Sequence, residues 1–149
     1  MQPLTILQCS TRDVGGGAER VASDLFQTYR RAGHASGLAV GYKRTDDPDV
    51  FCLPHEQASG LVRGFFWRLH RRWQPRYSRS RWARLACRWS HDLAAPGRIL
   101  DRLAGREDFH YPATQCIPTL MHDPPDVIHY HNLHGDYFDL RQLPALSAS

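Results

Sequence analysis

Three stretches near the start of the sequence decide the fold: LTILQC at residues 4–9, GGG at residues 15–17 and AERVASDLFQTYRRA at residues 18–32. The first is a short apolar run, which predicts a buried parallel strand. The third places its apolar residues along one helical face, with Glu19 in the first turn and Gly33 positioned to end the helix. Residues 37–42 (GLAVGY) then predict a second strand. Strand, glycine turn, helix and strand together indicate a βαβ unit with a right-handed crossover.

The remaining chain carries weaker signals of the same kind. Residues 50–53 predict a short strand, and residues 93–103 predict a helix that contains Pro96 near its start. Residues 126–131 (DVIHYH) predict a further strand, and Asp139 is placed to cap a last short helix. The expected fold is α/β, with a Rossmann-like parallel sheet, flanking helices and an Arg/Trp-rich helical insertion.

The glycine turn at Gly15, Gly16 and Gly17 lies between a strand and a helix. Glycines there let a ligand approach the backbone, and the helix amino terminus favours an anion. A tight turn with close helix packing is the alternative explanation. The G-x-G-x-x-G dinucleotide fingerprint fails because Arg20 stands at its last position, and no Gly-Lys-Ser/Thr follows for a P-loop.

Three histidines, His129, His131 and His134, lie at the carboxyl end of the late strand and in the loop behind it. Alternation along a strand predicts that His129 and His131 point to one side. Zinc binding is one interpretation, because H-x-H pairs are good ligands. In the similar H-x-H-x-D-H pattern of metallo-β-lactamase-like hydrolases, however, Asp stands where this chain has Leu133. A purely structural role is the second interpretation.

The third interpretation of this loop is polar contact with a substrate, such as a sugar hydroxyl or a phosphate. The residues expected to make those contacts are His131, Asn132, His134 and Asp136. Ligands in open α/β sheets bind at the carboxyl ends of the strands. We therefore expect the glycine turn and the histidine loop to meet along one edge of a single parallel sheet.

The basic charge of the chain is concentrated in residues 61–89, which contain nine Arg, all four Trp and no Asp or Glu. Two amphipathic helices joined through Gln74 and Pro75 explain the spacing. Such a segment suits an anionic membrane surface, a nucleic acid, or a docked insertion with a solvated Arg face. The candidates for membrane-surface contact are Trp67, Arg71, Arg72, Trp73 and Trp82.

The four cysteines are widely spaced and form no C-x-x-C pair, which indicates reduced thiols. No signal peptide pattern precedes the first strand, and no window reaches the length of a spanning helix. We expect a cytoplasmic protein, peripheral at the inner face of a membrane if it binds one.

Both ends of the chain resemble glycosyltransferase family 4. The similarity rests on the opening strand, the sequence GGGAERVA at residues 15–22 and the helix ending in Ala-Gly-His at residues 32–34. It also rests on PDVIHYHNLHG at residues 125–135 and on the continuation YFDL and LPALS at residues 137–140 and 143–147. Residues 50–104 are unmatched.

The resemblance implies a retaining GT-B enzyme that moves a sugar from a nucleotide-sugar donor to a saccharide or lipid-linked acceptor. It places Gly15, Gly16 and Gly17 near the donor diphosphate. It places His129, His131, Asn132 and His134 on the acceptor side. It implies no metal or cofactor beyond the nucleotide-sugar substrate, and it assigns no catalytic residue within this chain.

On this resemblance, residues 1–149 are a partial N-terminal lobe with residues 58–104 as a helical insertion. The nucleotide-sugar lobe of the family is absent, so we expect the chain alone to be inactive, as a truncated or split gene product. Two alternatives stay open. One is a non-enzymatic basic module that binds anionic membrane or, with less support, nucleic acid. The other is a metal-dependent hydrolase that uses the histidine cluster.

Overall fold

The structure, a computed structural model, describes residues 2–77 and 79–147. The outermost ends of the expected 1–149 domain therefore lie outside the described residues. Contacts divide the chain into two units. The sheet unit comprises Met1–Leu53 and Thr114–Ser149, and the helical unit comprises Pro54–Ala113. The helical unit contains the segment 58–104 and is wider than it at both ends.

The sheet unit is α/β with four parallel strands in the order β3-β2-β1-β4 and flanking helices. The elements are β1 (Thr5–Arg12), α1 (Gly17–Arg31), β2 (Ala35–Tyr42), β3 (Val50–Cys52) and β4 (Val127–Tyr130). A 3-10 segment, Pro112–Thr119, precedes β4, and a 3-10 turn, Leu140–Gln142, leads into α6 (Leu143–Leu146). The predicted parallel α/β architecture is confirmed.

Helix α1 packs one apolar face on the sheet. Phe26 and Ala22 are buried in a cluster with Leu38, Val40 and Val50. At the far end of α1, Gly33 adopts φ +85°, and the N–H of His34 bonds the carbonyl of Tyr29 at 3.0 Å. This left-handed residue ends the helix where the sequence predicted.

Strand β1 is longer than the sequence indicated. It continues through Ser10 and Thr11 to Arg12, and the side chains of Ser10 and Thr11 are buried. Apolar periodicity stopped at Cys9 because the following residues are polar. Pairing with β2, which continues from Ser10↔Val40 to Arg12↔Tyr42, extends the strand.

The helical unit contains α2 (His55–Ala58), α3 (Leu61–Trp73), α4 (Arg81–Ala94) and α5 (Gly97–Leu103). The two predicted amphipathic helices are α3 and α4, joined through a 3-10 turn at Gln74–Arg76. The prediction of one helix over residues 93–103 is wrong. Leu93 belongs to α4, and Ala95 leaves the helical region at φ −148° and ψ 84° before α5 begins. Pro96 caps α5 because its fixed φ suits a helix start.

Aromatic and cationic side chains fill the interior of the helical unit. Trp67, Tyr111 and Ala94 form its buried cluster. The His55 ring stacks on Trp67 at 4.7 Å between centroids, and the Arg98 guanidinium lies 5.8 Å from the Trp67 ring centroid. Among the described residues, no helix has the length and apolar character needed to cross a membrane.

Candidate ligand-binding edge of the sheet

The glycine turn and the histidine loop, residues 131–135, follow two strands that are direct neighbours. Strand β4 pairs with β1 in parallel, with Cys9 opposite Tyr130. Their carboxyl ends therefore point to the same edge of the sheet. The glycine turn follows β1 and the histidine loop follows β4, so the expectation that both lie along one edge is confirmed.

A small polar contact ties the end of β1 to the histidine loop. The Thr11 hydroxyl donates to the Asn132 carbonyl at 3.3 Å, and the Asn132 amide donates back to Thr11 Oγ1 at 3.4 Å. Asn132 has φ +46°, a left-handed conformation that Asn tolerates better than most residues. A Cβ at Gly135 would lie only 2.0 Å from Thr11 Oγ1. The loop can therefore approach β1 this closely only with glycine at position 135.

Two imidazoles lie side by side at this edge. The rings of His129 and His131 are 4.1 Å apart between centroids, which confirms that both point to one side. His131 Nε2 is 2.8 Å from Oε1 of the fully buried Gln8. Because the amide oxygen only accepts, this contact indicates the His131 tautomer with its proton on Nε2. Burial, and then the neighbouring His129, lowers the pKa of His131, so this ring is neutral near pH 7.

The backbone of the histidine loop is held from behind by an aromatic residue. The Tyr137 hydroxyl donates to the His131 carbonyl at 3.2 Å, and Tyr137 is 1% exposed. Its Cβ would be 2.4 Å from a Cβ placed on Gly41, so the Tyr137 ring sits directly against β2. Asp136, next to it, has φ +56° and an exposed side chain.

Asp13 fixes the loop behind β2 to the end of β1. Its carboxylate accepts from the N–H groups of Arg44 and Thr45 and, at 2.6 Å, from the Thr45 hydroxyl. Burial on its own raises the pKa of Asp13, but the hydrogen bonds from Thr45 and Arg44 bring it below its usual value. Asp13 is thus an ionised acceptor that organises the edge, and it is not poised as a general base.

The glycine turn is open at its helix end, whereas a Cβ on Gly15 would lie 3.2 Å from the Glu19 side chain. Gly15, Gly16 and Gly17 all lack a positive φ, and a Cβ on Gly17 would meet nothing within 4 Å. Neither a left-handed turn nor tight packing therefore requires glycine at position 17. The Glu19 side chain lies beside the turn, and its Oε2 would be 3.4 Å from a Cβ on Gly16. This carboxylate is favourable at the amino end of α1, where an anionic ligand would compete with it.

The edge offers hydrogen-bonding groups and backbone amides. The side chains of His129, Asn132 and His134 are exposed, whereas His131 is held by Gln8. Cys9 is buried at the centre of β1, and burial raises the pKa of its thiol, so it is no thiolate nucleophile there. Within the described residues, no group of three metal-ligating side chains comes together. The His129–His131 pair therefore has no third ligand there.

Sequence reasoning missed the residues that position this edge, namely Gln8, Thr11, Asp13, Gly135 and Tyr137. The apolar run that predicts β1 ends at Cys9, so it includes neither Thr11 nor Asp13. The available signal was polar residues just before a glycine turn, at the carboxyl end of a buried strand. The Gln8–His131 pair joins residues 123 positions apart and leaves no local signal.

The five candidates for membrane-surface contact lie in the helical unit, in different environments. Trp82 is 79% exposed, and Arg72 is exposed. Trp73 is half-buried, and Arg71 pairs with Glu56 at 3.1 Å. Trp67 is 5% exposed because it forms the core of this unit, so its inclusion among surface residues is wrong.

Comparison of the chain with known protein families, with curated proteins and with solved structures finds no match.

Proposed function

We propose that the sheet unit is the acceptor-side lobe of a retaining glycosyltransferase of the GT-B type, similar to family 4. In the complete enzyme it would serve a nucleotide-sugar donor and a saccharide or lipid-linked acceptor. One observation carries the proposal. The two stretches that resemble the family, the glycine turn and the histidine loop, follow adjacent parallel strands and share one edge of the sheet.

The glycine turn supports the donor side of the proposal. Gly17 has an ordinary φ and open space beside it, so its lack of a side chain serves access and not folding. The first N–H groups of α1 have no partner within the helix and carry the positive end of its dipole. They suit the diphosphate that leaves the donor, where negative charge develops as the glycosidic bond breaks.

The histidine loop supports the acceptor side. Sugar hydroxyls both donate and accept hydrogen bonds, and neutral imidazoles and amides do the same. The Gln8 and Thr11 contacts hold the loop in place, and the side chains of His129, Asn132 and His134 are exposed at it. This preorganisation lowers the entropic cost of binding.

The test is saturation-transfer NMR of the full chain with a panel of mono- and disaccharides and water-soluble glycolipid analogues. We expect at least one saccharide to bind in the millimolar range and His129→Ala to abolish its signal. His122→Ala is the matched control, because His122 is 97% exposed and belongs to the same unit. Equal binding by the two variants, or no binding by the wild type, contradicts the acceptor role.

The alternative of a metal-dependent hydrolase lacks support, because no third metal ligand lies beside His129 and His131 among the described residues. The alternative of a basic binding module concerns the helical unit and does not compete for the same edge.

A further inference from the structure

We infer that one face of α4 docks on the surface of an anionic lipid bilayer. This goes beyond the proposed transfer of sugar and does not depend on it. The inference rests on three faces of α4: one is packed, one is apolar and exposed, and one is basic and exposed.

The first face of α4 is packed and is made of small residues. Ala83, Cys87, Ser90 and Ala94 are all at most 2% exposed and recur at helical spacing. Cys87 contacts α3 directly, since its carbonyl lies 3.1 Å from Nδ1 of the buried His70. The helix is therefore held in the unit by its small residues, which leaves its large ones outside.

The second face is apolar and exposed. Trp82, Leu85, Trp89 and Leu93 are 79%, 46%, 61% and 46% exposed, respectively. Their spacing of three and four residues places them in one stripe along the helix. A contiguous exposed stripe of this kind costs free energy in water and marks an interaction surface.

The third face is basic and adjoins the apolar stripe. Arg81, Arg84 and Arg88 are exposed, and none forms an ion pair with a carboxylate in the part of the chain that the structure describes. The one acid of α4, Asp92, is already paired with Arg102 at 3.1 Å. The free charge beside the apolar stripe is therefore uniformly positive, which is complementary to anionic headgroups.

The separation of the two exposed faces favours a bilayer over a nucleic acid. A helix lying in the interface inserts its apolar stripe and keeps its arginines at headgroup level, and Trp prefers that depth. Binding of single-stranded nucleic acid stacks aromatic rings on bases among phosphate-binding arginines. Leu85 and Leu93 share the tryptophan stripe and would gain nothing from bases.

The experiment is sedimentation of the full chain with two kinds of vesicle, at low and at physiological salt. One kind is phosphatidylcholine, and the other contains phosphatidylglycerol as about a third of its lipid. We expect binding to the anionic vesicles that weakens with salt. Replacing Arg81, Arg84 and Arg88 with Gln should weaken it about fivefold for each arginine. Binding that is equal for both vesicles, or absent from both, overturns the inference.

Two paired variants test the apolar stripe. Trp82→Ser with Trp89→Ser should weaken vesicle binding at least about tenfold. Val21→Ser, which removes a 53% exposed valine from α1, should leave it unchanged. Trp82→Phe with Trp89→Phe keeps the apolar area, so binding should persist while quenching by brominated lipid is largely lost. This conservative pair gives a readout even if the serine pair does not fold.

Nucleic acid provides the competing outcome. Tighter binding to duplex DNA or to polyuridylate than to anionic vesicles would overturn the inference. The inference would also be overturned if brominated lipid still quenched tryptophan fluorescence in the variant with Trp82→Phe and Trp89→Phe. The quenched residues would then be the buried Trp67 and the half-buried Trp73. The inference is upheld if duplex DNA and polyuridylate bind only weakly and with strong salt dependence, while brominated lipid quenches Trp82 and Trp89 alone.

Discussion

The two units of the chain place their apolar and polar residues in opposite ways. The sheet unit buries Leu7, Phe26 and Val40 and collects exposed polar groups at one edge of the sheet. The helical unit buries the cation of Arg98 and exposes Trp82 and Trp89. A buried charge must be paired, and an exposed apolar stripe gains from being covered. The sheet unit therefore has an apolar interior and a polar edge, and the helical unit has a buried cation beside its aromatic core and an exposed apolar stripe.

The largest effect should come from the core of the helical unit. Arg98 is 1% exposed, pairs with Asp108 and donates to the carbonyls of His91 and His110. Arg98→Met leaves these acceptors without their donor, so we expect a loss of about 3–5 kcal/mol in the free energy of unfolding. Urea unfolding followed by tryptophan emission measures it, because all four tryptophans lie in this unit.

Arg102→Met in the same helix is the matched control. Its ion pair with Asp92 is half-exposed, so its loss should cost less than about 1 kcal/mol. Equal losses for Arg98→Met and Arg102→Met would show that the buried cation does not organise the helical unit.

The next effect concerns the tie between β1 and the histidine loop. Gly135→Ala places a methyl group onto Thr11 Oγ1, so we expect about 3 kcal/mol of destabilisation, at the upper end for overpacking. Gly17→Ala adds the same methyl group in open space at the other loop and should be neutral or slightly stabilising. Thermal unfolding of the two variants checks this, and similar melting temperatures would contradict the close approach of Gly135 to Thr11.

The stability of the two units should also respond differently to acid. Burial, followed by the nearby charges of Arg98 and the neighbouring histidines, lowers the pKa of His91 from 6.5 to about 2. The folded chain then binds fewer protons than the unfolded chain, so this stability is complete above pH 6.5 and falls as the pH drops. Between pH 6.5 and 5 the loss from His91 should be about 2 kcal/mol.

The sheet unit should respond differently to acid. Because the pKa of His131 is lowered, the sheet unit loses some stability below pH 6.5. The stability that Asp13 contributes is lost only as the pH falls below 3.8. Amide exchange at pH 7 and pH 5 compares the units residue by residue. His91→Gln should flatten the response of the helical unit alone. An unchanged acid response in that variant would remove His91 as its cause.

The smallest effect concerns Glu19 at the glycine turn. Glu19→Gln keeps the shape of the side chain but removes a negative charge beside the proposed diphosphate position. We expect inorganic pyrophosphate to bind about fivefold more tightly, a change of about 1 kcal/mol for one nearby charge at the surface. Isothermal calorimetry against wild type measures it. Asp24→Gln, an exposed acid further along α1, should bind pyrophosphate as the wild type does.

The sequence predicts the sheet unit well because its signals are local. The apolar run at residues 4–9, the periodic helix and Gly33 place β1, α1 and the helix end close to where they lie. Because carboxyl ends of parallel strands share an edge, the meeting of the glycine turn and the histidine loop also follows. Contacts such as Thr11 with Asn132 do not follow, because they join residues far apart in the chain.

The helical unit shows that the spacing of apolar residues predicts a helix but not which of its faces is buried. The spacing of Trp82, Leu85 and Trp89 correctly predicts a helix, but it does not say whether that stripe is buried. Small residues allow helices to approach closely, so the face with Ala83 and Cys87 packs and the larger stripe stays outside. Trp67 looks like the other tryptophans in the sequence, and it is its burial against partners such as His55 and Tyr111 that distinguishes it.

The most direct test of a shared ligand edge is a residue-resolved NMR titration of the full chain with a nucleoside diphosphate. We predict that the amides of Gly15–17 shift along one saturable curve as the diphosphate binds, that those of Asn132–Gly135 shift when a saccharide that binds the chain is then added, and that Glu19→Gln moves the diphosphate curve to lower ligand concentration. Shifts confined to the arginine-rich helices, or a response of one loop without the other, would contradict a common site at the ends of β1 and β4.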